Sequence, residues 1–473
     1  MDILNRVIVP HRLALIYRGG QTLAYNPNLN LWEYLTDDIA EVIRWLRAGR
    51  DRQQLSAHLA RRFAPVTNPG GERLEEILRW CVLRRLLYLD SEPVLPELAH
   101  PANPLQAIYW ICTQACNLRC TYCYQSAAVP RSKELSTAEG MDLARQAVEL
   151  GVTTFVFTGG EPFWRPDLLE VARYCRELGL VTNVITNGHF ITRDNIVEVA
   201  RTFHNVTVSL DHGLPKHHDR NRGEGSWAKA VSAIDLLVQA GCKVDINTVL
   251  SHYGLSDLSE LLRFARQHKA AEHRIVPQFP MGRGGGSRAR SGELTQEELL
   301  GVPDRLRQAN REASQAGETR VSAEGNYTDK MVRRNHCGAG LSEVSIDPEG
   351  WVYPCRLLQY PQFRTGNIRN QKLADIIAEH PALRSIRATV VDTLMPCKTC
   401  IIKYQCGGGC RGIHFSFTHE YVKAHPLFCA YLRRAFEARA WASTGVFPDA
   451  RAEEFNDGTS EDDRKPTFLP LVQ

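Results

Sequence analysis

The chain has 473 residues, more than one ordinary hydrophobic core holds, so two to four domains are expected. Its 43% hydrophobic content suits a globular protein, and a formal charge of +4 is too small for this length to argue for nucleic acid or a membrane surface. No apolar run approaches the ~20 residues of a membrane span, and Met1-Asp2-Ile3-Leu4-Asn5-Arg6 lacks the basic-then-apolar pattern of an export signal. Fourteen cysteines in so long a chain suggest metal rather than disulfides, with a bacterial cytoplasm as the expected setting.

Residues 1–98 read as a separable unit. Two alternating runs, Arg12–Tyr17 and Thr22–Tyr25, flank Gly19-Gly20, a hairpin signal. Helical patterning follows over Leu31–Leu46, Asp51–Phe63 and Glu72–Leu86, with Asp51 and Gln54 as a cap signal and Leu87-Tyr88-Leu89 as a closing strand. Strands followed by three helices describe a winged-helix-like domain. With Tyr25-Asn26-Pro27 and Leu31-Trp32, that order resembles the PqqD-like peptide-recognition domain of ribosomal peptide maturation enzymes. The resemblance implies capture of a precursor peptide through its leader, added as a strand on the sheet edge beside the third helix. A DNA-binding winged helix is the alternative, but no basic recognition helix is visible.

After the proline-bearing linker Pro93–Pro104, strands are expected over Ala107–Cys112, Thr153–Phe157, Val181–Thr186, Val206–Leu210, Lys243–Leu250 and Arg274–Phe279. Helices lie between them, the first opening at Ser136 with Glu139 as a capping box. Six such units over residues 99–292 predict an α/β fold, a parallel barrel or partial barrel with its chemistry at the carboxyl ends of the strands. Met281-Gly282-Arg283-Gly284-Gly285-Gly286-Ser287 reads as a flexible basic linker. A mostly polar helix capped by Thr295 and Glu298 follows within 293–448, and the tail from Asp449 reads as disordered.

Two motifs sit at the expected strand ends. Cys116-Asn117-Leu118-Arg119-Cys120-Thr121-Tyr122-Cys123 follows the first strand with three thiols spaced C-x3-C-x2-C. No fourth cysteine lies near, so three thiolates can hold three irons of a cubane and leave one iron open. Gly159-Gly160-Glu161-Pro162 follows the second strand; two glycines let the backbone approach a ligand, and Glu161 offers a carboxylate to a positive amino group. Together these resemble the radical S-adenosylmethionine (SAM) enzymes. By that likeness Tyr122 packs near the adenine, Ser209 in Ser209-Leu210-Asp211 bonds the ribose, and Arg222 pairs with the methionine carboxylate. Arg220 competes with Arg222 because the spacing carries an extra residue. Asn187 at the third strand's end is either a contact or a turn.

Seven further cysteines close the chain: Cys337, Cys355 with four residues between it and Gly350, then Cys397, Cys400, Cys406, Cys410 and Cys429. Seven ligands suit neither one nor two tetrahedral zinc sites. The pattern resembles the SPASM domain, which carries auxiliary iron–sulfur clusters. The likeness assigns Cys397, Cys400, Cys406 and Cys429 to one [4Fe–4S] cluster and Cys337, Cys355 and Cys410 to another with an open iron. Cys81, Cys112, Cys175 and Cys242 fall in predicted helices or strands as small apolar side chains.

The domain combination implies a radical SAM maturase that cross-links a ribosomally made peptide through a thioether or carbon–carbon bond. It would use SAM, three iron–sulfur clusters and a flavodoxin- or ferredoxin-type reductant, and would engage neither nucleic acid nor membrane. The alternatives are an oxidase of a protein Ser or Cys side chain, and a non-catalytic iron–sulfur carrier.

Overall fold

Two consecutive glycines set the first turn. In the computed structural model, which describes residues 3–63, 72–94, 105–256, 258–286, 292–315 and 333–443, β1 (Val7–Ile8) precedes a hairpin of β2 (Ala14–Arg18) and β3 (Gln21–Asn26). Gly19 and Gly20 join them at φ +54° and +72°, a conformation that suits a two-residue hairpin turn. The helix expected over Leu31–Leu46 is two elements, β4 (Leu31–Leu35) and helix Asp37–Arg47. Leu31-Trp32-Glu33-Tyr34-Leu35 carries the aromatic content of a strand, and the buried helical stripe starts only at Asp38 and Ile39. Asp51 caps a 3-10 turn by accepting from the Gln53 N–H at 2.9 Å, not the capping box expected with Gln54. Helices Leu55–Arg62 and Glu72–Leu83 follow, and β5 (Tyr88–Leu89) pairs antiparallel with β1.

Alternation along β2 and β3 gives their sheet two apolar faces. Leu15 and Ala24 pack under the three helices, whereas Ala14, Ile16, Leu23 and Tyr25 form a second core with Ile401, Ile402, Phe436 and Trp441. The N-terminal unit is thereby seated on the cysteine-rich C-terminal region. Arg18, 2% exposed, locks the seam by pairing with Asp304 at 2.9 Å and Glu437 at 3.8 Å.

The six strands expected next are all present: β6 (Ala107–Thr113), β7 (Thr154–Gly159), β8 (Val181–Thr186), β9 (Asn205–Ser209), β10 (Lys243–Leu250) and β11 (Glu272–Pro277). Each pairs in parallel with the next, giving a partial barrel with helices outside. The sheet then gains β12 (Glu343–Ile346), parallel to β6, and β13 (Val352–Tyr353), antiparallel to β12. These two strands splice the C-terminal region onto the barrel edge, which the sequence reading did not anticipate.

Outward residues such as Trp110, Phe155, Phe157, Val206 and Ile246 make the main core with the outer helices, joined by buried Cys112 and Cys175. Cys81 is buried in the N-terminal core, while Cys242 is half-buried against the main one. Helix Thr137–Glu149 starts with the expected Ser136–Glu139 capping box. Helix Gln296–Gln315 does bear the Thr295–Glu298 reciprocal cap, but it is not polar on every face. Leu299, Val302, Leu306 and Ala309 form a buried stripe against Phe428, Tyr431 and Leu432. The tail from Asp449 and most of the Pro93–Pro104 linker lie outside the described residues. No helix among the described residues is long and apolar enough to cross a membrane.

Candidate active site

Parallel strands buried on both faces usually read as continuous apolar runs, yet here polar residues stand among the inward-facing positions, on β9 at every one of them. Asn183 of β8, Asn205, Thr207 and Ser209 of β9, Asn247 of β10 and Arg274 of β11 point inward and line a cavity of about 500 Å³. Cys116, Cys120, Cys123 and Tyr122 close the cavity at the carboxyl ends, with Gly159, Gly160 and Arg222 beside them. The structure thus brings every candidate SAM-binding residue except Glu161 to one space.

The two glycines act differently from expectation. A Cβ on Gly160 would stand 2.0 Å from the Ala115 carbonyl oxygen, and one on Gly159 (φ +141°) 2.5 Å from that of Thr113. Their bareness lets the β7 turn dock on the backbone leading into the cysteine loop. The Gly160 N–H donates to Thr113 O and the Glu161 N–H to Ala115 O, both at 2.8 Å. Glu161 is fully buried, with its carboxylate turned away from the cavity. It accepts from Thr186 Oγ1 at 2.8 Å, the Asn187 N–H at 2.8 Å and the Phe163 N–H at 3.2 Å. It therefore positions Asn187, whose side chain lines the cavity and donates to Asn117 Oδ1 at 2.8 Å, 4.0 Å from the Cys116 sulfur.

Burial pushes the Glu161 carboxyl up to about 7 against those three donors. Its protonated form therefore favours the fold. That contribution is complete below the ordinary carboxyl value and is lost as pH rises through about 7. Chemical denaturation should show stability falling by up to ~3 kcal/mol between about pH 5 and about pH 8, and the fall should flatten in Glu161→Gln. An equally steep profile in the variant would remove Glu161 as its source.

Arg222 and Arg220 have different surroundings. Arg222, 8% exposed, ends helix Pro215–Arg222, an element unforeseen in the sequence, and makes a two-pronged pair with Asp211 at 2.8 and 3.0 Å. Arg220 instead lies over the Tyr253 ring at 3.8 Å, on the exposed side. Tyr122 donates its hydroxyl to Asp211, and the Arg222 guanidinium lies 5.5 Å from the Tyr122 ring centre. Because Asp211 occupies Nε and Nη2 of Arg222, a bidentate grip on a further carboxylate through that edge is already spent. Asp211 thus braces the cavity wall, a role that Ser209-Leu210-Asp211 does not show as a sequence.

The run expected to be a flexible linker is part of the site. A Cβ on Gly282 would stand 2.4 Å from Tyr124 O, and Arg283 donates to Cys120 O at 3.0 Å and Ala127 O at 2.8 Å. Arg283 staples the cysteine loop from below; the glycines around it had masked that role.

The thiols fall into three mutually neighbouring sets: Cys116, Cys120 and Cys123; Cys337, Cys355 and Cys410; and Cys397, Cys400, Cys406 and Cys429. Gly407, Gly408 and Gly409, all at positive φ, reverse the chain so that Cys406 and Cys410 enter different sets. Burial pushes Cys120 up to about 11, opposed by Arg222; burial likewise raises the thiols of both later sets, and buried Arg411 partly offsets it there. Among the described residues no three His, Cys, Asp or Glu side chains converge closely enough for a single metal ion. A cubane spreads its thiol-bearing corners more widely, and the all-sulfur donor sets fit iron–sulfur clusters.

Residues 110–265 match the family model of the radical SAM superfamily, and residues 337–401 match SPASM, an iron–sulfur cluster-binding domain. The chain therefore joins a radical SAM domain, which takes a [4Fe–4S] cluster and SAM, to a SPASM domain, which takes auxiliary iron–sulfur clusters. It is 28% identical over 349 residues to an AdoMet-dependent heme synthase of Methanosarcina barkeri, covering 70% of this chain and 97% of that one. It is 26% identical over 325 residues to the mycofactocin maturase MftC of Mycobacterium ulcerans, covering 68% and 87%. In fold it is similar to Streptococcus suis SuiB bound to the precursor peptide SuiA, with a TM-score of 0.58, 15% identity and coverage of 89% and 99%. Coverage of 89% exceeds what remains without residues 1–94, so the likeness reaches into the N-terminal unit.

Proposed function

We propose that the chain is a radical SAM maturase of a ribosomally made precursor peptide. Cys116, Cys120 and Cys123 would hold the SAM-binding [4Fe–4S] cluster. Cys397, Cys400, Cys406 and Cys429 would hold one auxiliary cluster, and Cys337, Cys355 and Cys410 the other. When bound, the first cluster and SAM supply hydrogen abstraction from an unactivated C–H bond. The chain's own part is to orient and to exclude water. Tyr122 and Arg222, braced by Asp211, form one wall; Ser209 faces the same space from β9; the Gly159–Gly160 turn fixes the height of the cysteine loop. A thioether or carbon–carbon cross-link is the expected product, with electrons from a flavodoxin- or ferredoxin-type protein.

The observation that carries this reading is a single cavity bounded by three thiols, on a chain that also bears a strand-first, three-helix unit. In that unit β4 is an edge strand, Tyr34 is partly exposed on it, Glu33 is bridged to Arg84 at 3.1 Å, and Leu83 of the third helix is 81% exposed. This edge and helix would take the leader as an added strand. Removing residues 1–94 is a poor test, because it strips Ile16, Leu23 and Tyr25 from the core shared with Phe436 and Trp441. Tyr34→Asp and Leu83→Asp should instead weaken binding of the neighbouring gene's precursor at least ~10-fold while leaving peptide-independent SAM cleavage intact. Unchanged peptide affinity in both would remove the leader-binding role. Reduced enzyme, SAM and precursor should yield a peptide lighter by two hydrogens; an unchanged mass argues against cross-linking.

A second reading has its own support. A basic wall of Arg222, Arg274, Arg283 and Arg356 lines the cavity, the first two already paired with Asp211 and Glu272, which favours an anionic substrate, and one relative is named an AdoMet-dependent heme synthase. SAM-dependent turnover of a heme precursor, with the peptide inert, would establish it instead.

A further inference from the structure

We propose that the Glu343 carboxylate closes the fourth corner of the auxiliary cluster held by Cys337, Cys355 and Cys410. The inference rests on the assignment of those three thiols to one cluster. Its geometry comes from the β12–β13 hairpin. Ser345 lies opposite Tyr353 and Ile346 opposite Val352; carried two residues past the end of β13, that register sets Glu343 against Cys355. Directly opposed residues of an antiparallel pair place their Cβ atoms about 5 Å apart on one face. Gly350 at φ +88° closes the hairpin, and the Asp347 N–H donates to Trp351 O at 2.9 Å, which pins that register.

Period-two alternation then decides which way Glu343 faces. Val344 and Ile346 point into the main core, so Glu343 and Ser345 share the opposite face with Ala107 and Tyr109 of the paired β6, which line the cavity. Glu343 stands at the junction of the barrel cavity and the three-thiol set. Its charge bears on Cys355 more strongly than Cys410 or Cys337 does. No hydrogen bond from a described residue satisfies the carboxylate, and Arg356 is the opposing charge beside it. Glu343 is half-buried, so its carboxylate keeps an open side on which an iron within reach would sit, and carboxylates are ordinary iron ligands. The buried hydroxyl of Tyr421 also neighbours Cys337 and Cys355, which makes it the competing side chain at this corner.

The test uses the full chain, reconstituted anaerobically and reduced, with SAM present to occupy the first cluster. Isotopically labelled cyanide, a small ligand for an open iron, is the probe, read by electron–nuclear double resonance. Wild type and Tyr421→Phe should show no label coupling, and Glu343→Ala should show it at unchanged iron and sulfide content. Coupling in wild type, or none in a fully loaded Glu343→Ala, would overturn the inference. Should Glu343→Ala lose iron, Glu343→Cys decides: restored iron supports a ligand at 343, and continued loss overturns it. A wild type without iron in this set sinks the cluster assignment itself; a loaded wild type whose spectra ignore position 343 sinks only the ligand.

Discussion

Gly160→Ala should leave the chain unable to load iron at Cys116, Cys120 and Cys123, with deoxyadenosine formation down at least ~100-fold. The added methyl would lie 2.0 Å from Ala115 O and 2.6 Å from Ala115 C, both backbone atoms that cannot rotate away. To relieve the contact, either the β7 turn or the strand leading into the cysteine loop must move by more than an ångström. Either shift breaks the 2.8 Å bonds from Gly160 N to Thr113 O and from Glu161 N to Ala115 O. Overpacking of this kind costs about 3 kcal/mol locally. Here the effect on function should exceed the effect on stability, because the loop that moves carries the ligands. Gly285→Ala is the matched control: its Cβ meets nothing closer than 3.7 Å, so it should load iron normally. Normal iron loading and SAM cleavage by Gly160→Ala would show that the docking of the two loops does not matter.

The same contact shows where sequence reading worked and where it stopped. The six parallel strands were legible because a helical run follows each of the first five β-rich runs, the first of those helices opening on the Ser136–Glu139 capping box. The cysteine groups were legible because spacing along a loop is nearly spacing in space. The glycines of Gly159–Gly160 were found without their loop contact: a sequence shows that a side chain is missing, but not which neighbour requires it to be. Arg283 was hidden by the opposite error. Its glycine-rich surroundings read as slack, whereas Gly282 and Gly284 are bare because Tyr124 O and Phe279 O lie within 3 Å of where a Cβ would stand. The strand Leu31–Leu35 was missed because leucines at 31 and 35 also satisfy a helical repeat, and only pairing with β3 decides between them. The seating of the N-terminal sheet on Ile401, Phe436 and Trp441 joins residues almost four hundred positions apart, with no local signal. One signal was available and unused: the polar beat of Asn205, Thr207 and Ser209 on a strand buried on both sides marks a wall that faces a ligand rather than a core.

Asp211→Asn is expected to destabilise the fold by ~3–5 kcal/mol and to weaken SAM binding by more than ~10-fold. Asp211, 3% exposed, accepts from Arg222 through both prongs, from the Tyr122 hydroxyl, and from the Val249 N–H at 3.1 Å. Burial alone would raise its carboxyl, but the Arg222 guanidinium, with His218 and the Tyr122 hydroxyl, outweighs burial and holds it below the usual range. The pair's contribution is therefore present above the ordinary carboxylate value and lost only as pH falls through the lower folded one, so mild acid should spare it. Asparagine keeps the shape and removes the charge, leaving a guanidinium buried beside the cavity without its partner. It also forces an amide N–H towards a donor on one side or the other. Freed of Asp211, Arg222 can swing towards the cavity and Tyr122 loses the bond that sets its ring. The double variant Asp211→Asn/Arg222→Gln separates the causes. If the cost is the orphaned charge, the double variant should be more stable than Asp211→Asn by ~1–3 kcal/mol while SAM binding stays weak. If the double variant is instead as unstable as the sum of its parts, the network is not a coupled unit, and Tyr122 and Arg222 reach their positions by packing alone.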